Sequence, residues 1–359
     1  MSTSYDVILL ASFGGPEGPD DVMPFLERVT AGRGVPPERL EEVAHHYLAL
    51  GGVSPINAQN RALIEALRAE LDNRGVRVPI VLGNRNSEPF FDSVLTGLHD
   101  AGHRRVLALA TSAYPSYSGC RQYREDLGMA LERTALADKL EIVKVRPYFD
   151  RAGFIQASAE LLAQALAAID PSVATILFTT HSLPAAMAAT SGPPDARDAR
   201  GLYVSSHLAV AEAVAVGAAQ RLGRPSPPRW RLVYQSRSGP PQVPWLEPDI
   251  NDALREEAAA GCRTAVVAPV GFISDHVEVI WDLDAEARQT CAGLGIQMVR
   301  VPTAGTHPTF VAGLADLVVA HLEAADGRGG CAPVTGLCSD GCCPNLRVAR
   351  PVVPGVSVA

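Results

Sequence analysis

The sequence predicts an α/β protein of two similar Rossmann-like lobes, each a parallel four-stranded sheet flanked by helices, with a cleft between them. Three observations carry this reading. Short runs of β-forming residues alternate with Ala-, Leu- and Glu-rich stretches of helical period, as in a parallel sheet covered on both faces. The pattern occurs twice: EPFFDSVLTGLHDAGHRRVLALA from Glu88 and EPDINDALREEAAAGCRTAVVAP from Glu247 share Glu-Pro, an amphipathic helix, Ala-Gly-Xaa-Arg and a buried strand, 159 residues apart. Each half also opens on a buried run that breaks at a proline-marked loop, VILLASFGGP ending at Pro16 and TILFTTHSLP ending at Pro184. In open α/β sheets ligands bind at that C-terminal strand edge, so the two edges are expected to face each other.

The elements follow in order. VILLAS (7–12), PIVLGN (79–84), RVLALA (105–110) and EIVKVR (141–146) are the strands of the first lobe. TILFTT (175–180), RLVYQS (231–236), TAVVAPV (264–270) and IQMVRV (296–301) are those of the second. LIEALRAEL (63–71) and LLAQALAAI (161–169) repeat apolar residues at three- and four-residue spacing, as amphipathic helices do. The linker falls near 147–155, where RAGFIQASAELLAQAL is also readable as a helix bridging the lobes. SGPPDARDA (191–199) and PSPPRW (225–230) are surface loops, and LADLVVAHLEAA (314–325) is a closing helix. The expected division is 1–150, 151–325 and a cysteine-rich segment 326–359.

At 359 residues and 47% hydrophobic, the chain can fill one large core or two ordinary ones. A net charge of −8 with no long basic run argues against nucleic acid as a partner. No G-x-G-x-x-G or Walker motif follows a strand, so nucleotide binding is not indicated. MSTSYDVILLASFGG lacks the basic start of a signal peptide, and no run approaches the ~20 apolar residues of a membrane span. The proline-broken tail LRVARPVVPGVSVA suggests no anchor. The expectation is a soluble cytoplasmic protein.

His181 ends a buried strand, where a cleft wall aims an imidazole at a ligand. Imidazole takes a proton or binds a first-row metal near neutral pH. At the matching strand end of the same lobe, PVGFISDHVEVIWDLDAEA holds Glu278, Asp282 and Glu286 at four-residue spacing, on one helix face. Solvated acidic faces are common. Here Val277, Val279, Ile280 and Trp281 crowd the same turns, and a partly buried ladder of carboxylates suits a second cation site or a proton exit.

TTHSLP with GFISDHVEVIWDLD resembles the ferrochelatase family, and the resemblance runs over nearly the whole chain: ASFGGPE near the start, YLALGGVSPIN at 47–57, NSEPF at 86–90, YPSYS at 114–118 and YQSRSGPPQVPWLEPD at 234–249. It implies a chelatase-type two-lobed fold and a lyase-class enzyme that inserts Fe(II) into a porphyrin in haem biosynthesis. His181 and Glu278 would stand on opposite sides of the macrocycle centre as catalytic groups and ligands of the substrate iron. Which takes the pyrrole protons and which holds the metal stays open. The same resemblance places Ser54 and Tyr123 against porphyrin and His46 and Tyr47 near propionates. Phe13 falls where some relatives have a tyrosine; phenylalanine stacks but does not ligate. Arg33 and Arg61 are further propionate partners, since arginine suits carboxylates.

Some members of the family hold a [2Fe–2S] cluster on three C-terminal cysteines and one from mid-chain. YPSYSGC puts Cys120 at the mid-chain place. Cys331, Cys338 and either Cys342 or Cys343 complete the implied set. A zinc site of four thiolates is the rival, and Cys262 and Cys291 read as ordinary thiols. The polar start of INAQNRALIEALRAEL after GGVSP, the missing membrane tail and the cluster favour coproporphyrin III as substrate over protoporphyrin IX. Transient contact with other haem-pathway enzymes follows from the same resemblance. A cobalt or nickel chelatase and a haem-carrying binding protein are the more distant readings; the second needs neither His181 nor Glu278.

Overall fold

The structure is a computed structural model that describes residues 5–32, 34–239, 242–325 and 341–355. In the first sheet β1 (Val7–Ser12), β2 (Ile80–Asn84), β3 (Arg105–Ala110) and β4 (Glu141–Lys144) lie in the order β2-β1-β3-β4. In the second, β5 (Ala174–His181), β6 (Arg229–Gln235), β7 (Thr264–Ala268) and β8 (Gln297–Arg300) lie in the order β6-β5-β7-β8. All pairings are parallel. The internal repeat is therefore a repeat of topology, with β5 standing to its sheet as β1 does to the first. Leu10 faces Leu82 on one side and Leu109 on the other, and Phe178 faces Leu232 and Ala268. Central strands buried on both faces explain the near-continuous apolar runs.

Twelve helices cover the sheets among the described residues: α1 (Pro19–Thr30), α2 (Pro37–Ala49), α3 (Ile56–Asn73), α4 (Phe91–Asp100), α5 (Gln122–Arg133), α6 (Ala152–Leu166), α7 (Ala185–Ala189), α8 (Leu202–Arg221), α9 (Ile250–Ala259), α10 (Val277–Val279), α11 (Arg288–Leu294) and α12 (Pro308–Ala325). The 152–166 stretch expected to bridge the lobes, α6, packs on α8 and α12 of the second lobe, and the reach to the first lobe, at α3, is made by α12. One apolar cluster accordingly runs through Ile8 and Leu67, Phe154, Phe178 and Phe310. The α6–α12 crossing depends on glycine: a Cβ on Gly153 would lie 2.7 Å from Gly313 Cα. Truncating Phe154, 1% exposed at this junction, costs about 3–5 kcal/mol on general grounds.

One expectation is corrected. α8 and α12 are, by length and composition, long and apolar enough to cross a membrane. Each turns one side into the core, with Val210, Val214 and Ala218 of α8 and Phe310, Leu314 and Val318 of α12 buried. The proline-broken tail also has a structural place. Arg124 Nε donates to Val353 O at 2.8 Å, Lys144 N donates to Pro354 O at 3.0 Å, and Lys144 bridges Gly355 in parallel. The tail thus lies along the outer edge of β4 and covers an otherwise open strand.

Candidate active site

The side chains expected to react gather beyond the ends of β5 and β7. His181 is the last residue of β5, its backbone still opposite Gln235 of β6. Its ring Nδ1 lies 2.5 Å from the Ser182 carbonyl, an acceptor, so Nδ1 carries the proton. Nε2 is left with a free lone pair, 3.9 Å from Glu278 Oε2. Val277 and Val279 flank Glu278 and are 1% and 0% exposed. They clamp α10 to the core and leave the carboxylate between them part-exposed.

After α10 the backbone winds as a π-helix over Ile280–Ala287. π-helical turns are rare and recur at functional sites, and the i, i+4 spacing alone does not announce one. Asp282 faces inward. Gln235 Nε2 lies 3.3 Å from its Oδ2, and Ser236, held at φ +61°, donates to the same oxygen. Burial nonetheless pushes the Asp282 carboxyl up to about 7, with the charges of Glu278 and Glu286 adding to the effect. Glu286 accepts from Trp281 Nε1 at 2.9 Å. The three carboxylates are neighbours, as the spacing predicts, but only Glu278 meets His181. Beside them the surroundings of the part-buried His276 push its imidazole below its usual range, chiefly by desolvation, and Asp275 is paired with Arg300 at 2.6 Å.

The first lobe supplies the opposite wall. His46 stacks flat on Trp281, centroids 4.1 Å apart, which joins α2 to the π-helix. Tyr47 is buried in one apolar cluster with Phe25 and the second lobe's Val277, and Phe13 packs against it. Burial and the Glu278 charge push the Tyr47 hydroxyl well up, which places Tyr47 within electrostatic reach of Glu278. Tyr123 is buried under Arg85, whose guanidinium lies 4.2 Å from its ring centroid and 5.7 Å from that of Phe13. Ser54 is buried against Gly15, where an added Cβ would come within 2.6 Å of it. Arg61 is an exposed partner of Glu17 at 2.5 Å, and Arg33 lies outside the described residues. Beside Phe13 a cavity of about 770 Å³ is lined by Arg28, Arg85, Asp126, Arg347 and Arg350 among others.

The polar segment after GGVSP is not a polar lip. Asn57 Nδ2 donates to Gly15 O at 3.0 Å and Asn60 Nδ2 to Ser12 Oγ at 2.7 Å, both in the interior. Gln59 Oε1 accepts from Asp275 N at 2.9 Å across the lobes. Leu48, Leu50 and Val53 are exposed beside this segment, and Arg61 within it. Asparagine reads as surface in a sequence, and here it satisfies loop backbone. Trp281, Gln235 and Ser236 lie within GFISDHVEVIWDLD and YQSRSGPPQVPWLEPD, but their contacts with His46 and Asp282 are not legible there, and no motif of the resemblance contains Arg85.

Of the cysteine set, Cys120, Cys342 and Cys343 are buried, and Cys331 and Cys338 lie outside the described residues. Cys120 sits in a second π-helical turn, Tyr117–Arg121. The buried Lys144 ammonium donates to its Sγ at 3.5 Å. The Cys342 and Cys343 sulfurs are 3.6 Å apart, and Gly192 N donates to Cys343 Sγ at 3.1 Å. The Cys342 contact and burial push the Cys343 thiol up, and Cys120 is near enough to contribute. Among the described residues no three His, Cys, Asp or Glu side chains are grouped to hold a metal ion.

His181 and Glu278 both belong to the second lobe and lie 3.9 Å apart, so the expectation that they stand on opposite sides of a macrocycle is corrected. An imidazole beside a carboxylate at the edge of two such lobes suits a chelatase-type enzyme. The fold agrees: the structure of SirB from Bacillus subtilis with Fe3+ superposes with a TM-score of 0.50 at 10% identity, covering 90% of this chain and 97% of that one. The chain belongs to the ferrochelatase family, whose family model, Ferrochelatase, matches residues 5–322. Coproporphyrin III ferrochelatases of Leifsonia xyli subsp. xyli and Propionibacterium freudenreichii subsp. freudenreichii are each 48% identical to it, the first covering 99% of this chain and 95% of the relative, the second 98% of both. That of Streptomyces coelicolor is also 48% identical, covering 99% and 97%.

Proposed function

We propose that the protein inserts Fe(II) into coproporphyrin III in the cytoplasm, as a step of haem biosynthesis. The observation that carries the choice of porphyrin is near-full-length similarity to relatives of that name. The cavity beside Phe13 is lined by neither His181 nor Glu278, so its arginines are read as partners for rim carboxylates and not as the seat of the macrocycle. Protoporphyrin IX remains the competitor the test must include.

Insertion exchanges one Fe(II) for two pyrrole N–H protons, so the site needs two acceptors and a route out. The free lone pair on His181 Nε2 takes the first proton. Glu278, 3.9 Å away, receives the second or relays the first. Asp282, held near pH 7 by burial, stands next in line and is poised to exchange protons at neutral pH. Phe13 stacks on the ring and offers no metal ligand. Residues 1–150 and 151–325 act as the two walls, and binding along the rim supplies the out-of-plane distortion that exposes the nitrogen lone pairs.

Anaerobic incubation with Fe(II) and equal concentrations of both porphyrins tests the reading. Loss of the coproporphyrin free-base spectrum first is expected, and faster consumption of protoporphyrin would reverse the assignment.

The cysteine segment, 326–359, is read as holding a [2Fe–2S] cluster on Cys120, Cys331, Cys338 and one of Cys342 and Cys343. N–H groups from Lys144 and Gly192 point at the Cys120 and Cys343 sulfurs and would oppose the effect of burial that pushes the Cys343 thiol up. When bound, such a group cross-links the segment to the first lobe. About two irons and two acid-labile sulfides per chain are expected. Replacing Cys342 and Cys343 singly identifies the ligand by which loss bleaches the protein. One zinc and no labile sulfide would leave the zinc site.

A further inference from the structure

We propose that Tyr203 is a positioning residue for His181, and that through Ser191 and Gly192 it couples the histidine to Cys343. The proposal rests on the reading of His181 as a reacting group.

The link is a short run of buried hydrogen bonds. Tyr203, in the first turn of α8, donates its hydroxyl to the His181 carbonyl at 2.8 Å. Its own backbone N–H donates to Ser191 Oγ at 2.7 Å, and the next residue back, Leu202, donates N–H to Ser191 O at 3.0 Å. Ser191 Oγ in turn donates to Ala188 O at 2.5 Å. Gly192 then exchanges two bonds with Cys343: its N–H donates to Sγ at 3.1 Å, and Cys343 N–H donates to its carbonyl at 3.4 Å. Three successive contacts therefore join a cysteine of the C-terminal segment to the last residue of β5.

This junction has no slack. Gly192 has φ +84°, and a Cβ there would meet the Leu202 side chain at 2.6 Å; Gly201 has φ +79°, and a Cβ would meet Ala188 O at 1.7 Å. Cys343 itself holds φ +51°, a conformation that a non-glycine residue keeps only where its surroundings impose it. A displacement of the cysteine segment therefore passes to the start of α8.

A second arm reaches the same place from Cys120. Tyr114, in the loop before Cys120, stacks on His207 of α8 with centroids 3.5 Å apart. His207 Nδ1 faces the Tyr203 carbonyl at 2.7 Å, and its Nε2 lies 2.9 Å from Thr180 Oγ1. Thr180 Oγ1 lies 2.7 Å from the Tyr203 hydroxyl. Both sides of the cysteine site thus converge on the two residues that fix the end of β5. A chain of contacts is only a candidate for coupling, and a double-mutant cycle measures it.

Tyr203→Phe removes one hydroxyl and leaves the ring in place. Iron insertion into coproporphyrin III is expected to lose about tenfold in kcat with KM unchanged, since a small displacement of a reacting group is costly. Cys343→Ser is expected to show the same split. The double variant should lose no more than the worse single variant. Unchanged kcat in Tyr203→Phe, kcat and KM moving together with a lower Tm, or losses that multiply in the double variant would each overturn the proposal. If Tyr203→Phe fails to fold, Ser191→Ala carries the same expectation. A parent protein with no turnover would sink the reading of the function; a parent that turns over beside an unaffected Tyr203→Phe sinks only this proposal.

Discussion

The ends of β1 and β5 occupy the same place in two sheets of identical strand order, and they do different work. At β1 the backbone folds over itself. Gly14 holds φ +79°, a Cβ on Gly15 would strike Ser54, and the loop is fastened by Asn57 and Ser87. Ser12, Asn57, Asn60, Asn84 and Ser87 are all buried there. Such a network is rigid and neutral. At β5 the strand ends on an imidazole whose Nε2 opens toward Glu278, the loop after β7 adds Asp275 and His276, and the π-helix adds Asp282. Topology fixes where a ligand sits, and loop residues decide which lobe holds it and which lobe reacts. The first lobe should therefore show its losses in KM and the second in kcat.

His181→Ala should break the reacting side most deeply. Loss of the free imidazole lone pair lowers kcat by about 10²-fold or more if it is the base, while porphyrin affinity, followed by fluorescence quenching, stays within a fewfold. A variant with near-normal turnover would remove His181 from the chemistry and the lobe contrast with it.

Glu278→Gln ranks next. It should cost about 10–10²-fold in kcat. Asp282→Asn should cost less because Asp282 does not contact His181, and Glu286→Gln least because that carboxylate is engaged by Trp281. Equal losses at all three would mean that the acidic run acts only through its summed charge.

On the first lobe the sharpest test is Arg85, which lies on both Phe13 and Tyr123. Arg85 is ion-paired with Asp126, so the single change would strand a buried carboxylate. Arg85→Gln with Asp126→Asn keeps the pair neutral. KM for coproporphyrin III should rise by about tenfold, the worth of one charge-assisted contact, with kcat within about twofold, because binding lost equally from ground and transition states leaves kcat alone. A fall in kcat at constant KM would place Arg85 with the reacting groups.

How much of this was legible follows from what each feature depends on. The strands read out because a parallel strand buried on both faces must be apolar: 7–12 and 105–110 match β1 and β3 residue for residue. The repeat read out because helix, Ala-Gly turn and strand keep their spacing. The position of His181 at the end of β5 was legible because strand-end placement is local. The inward turn of Asn57 and Asn60, the π-helical turns and the edge pairing of 351–355 all depend on partners far along the chain, and composition points the wrong way for two of them. Tyr203 illustrates the limit. Its function rests on a hydroxyl meeting the carbonyl of a residue 22 positions earlier, which no local pattern encodes.

The smallest expected effect is a pH dependence confined to the second lobe. The Asp282 carboxyl rises from 3.8 to about 7 in the folded protein, chiefly through burial. A folded-state pKa above the unfolded one means that the folded chain binds the proton more tightly. The associated stability is fully present below about pH 4 and is lost as pH rises through 7. Asparagine at 282 has no proton to lose. Asp282→Asn should therefore match the parent's pH trend near pH 4 and fall off less steeply between pH 5 and 8, a difference on the order of a few kcal/mol at most. Thermal melts of both proteins across that range give the comparison directly. The first lobe provides the control, because its strand-end network of Ser12, Asn57, Asn60, Asn84 and Ser87 contains no titratable group: Asn60→Ala should lower Tm by a similar amount at every pH. If Asp282→Asn instead shifts Tm uniformly, Asp282 is ionised in the folded protein throughout, and it leaves the proton route that begins at His181.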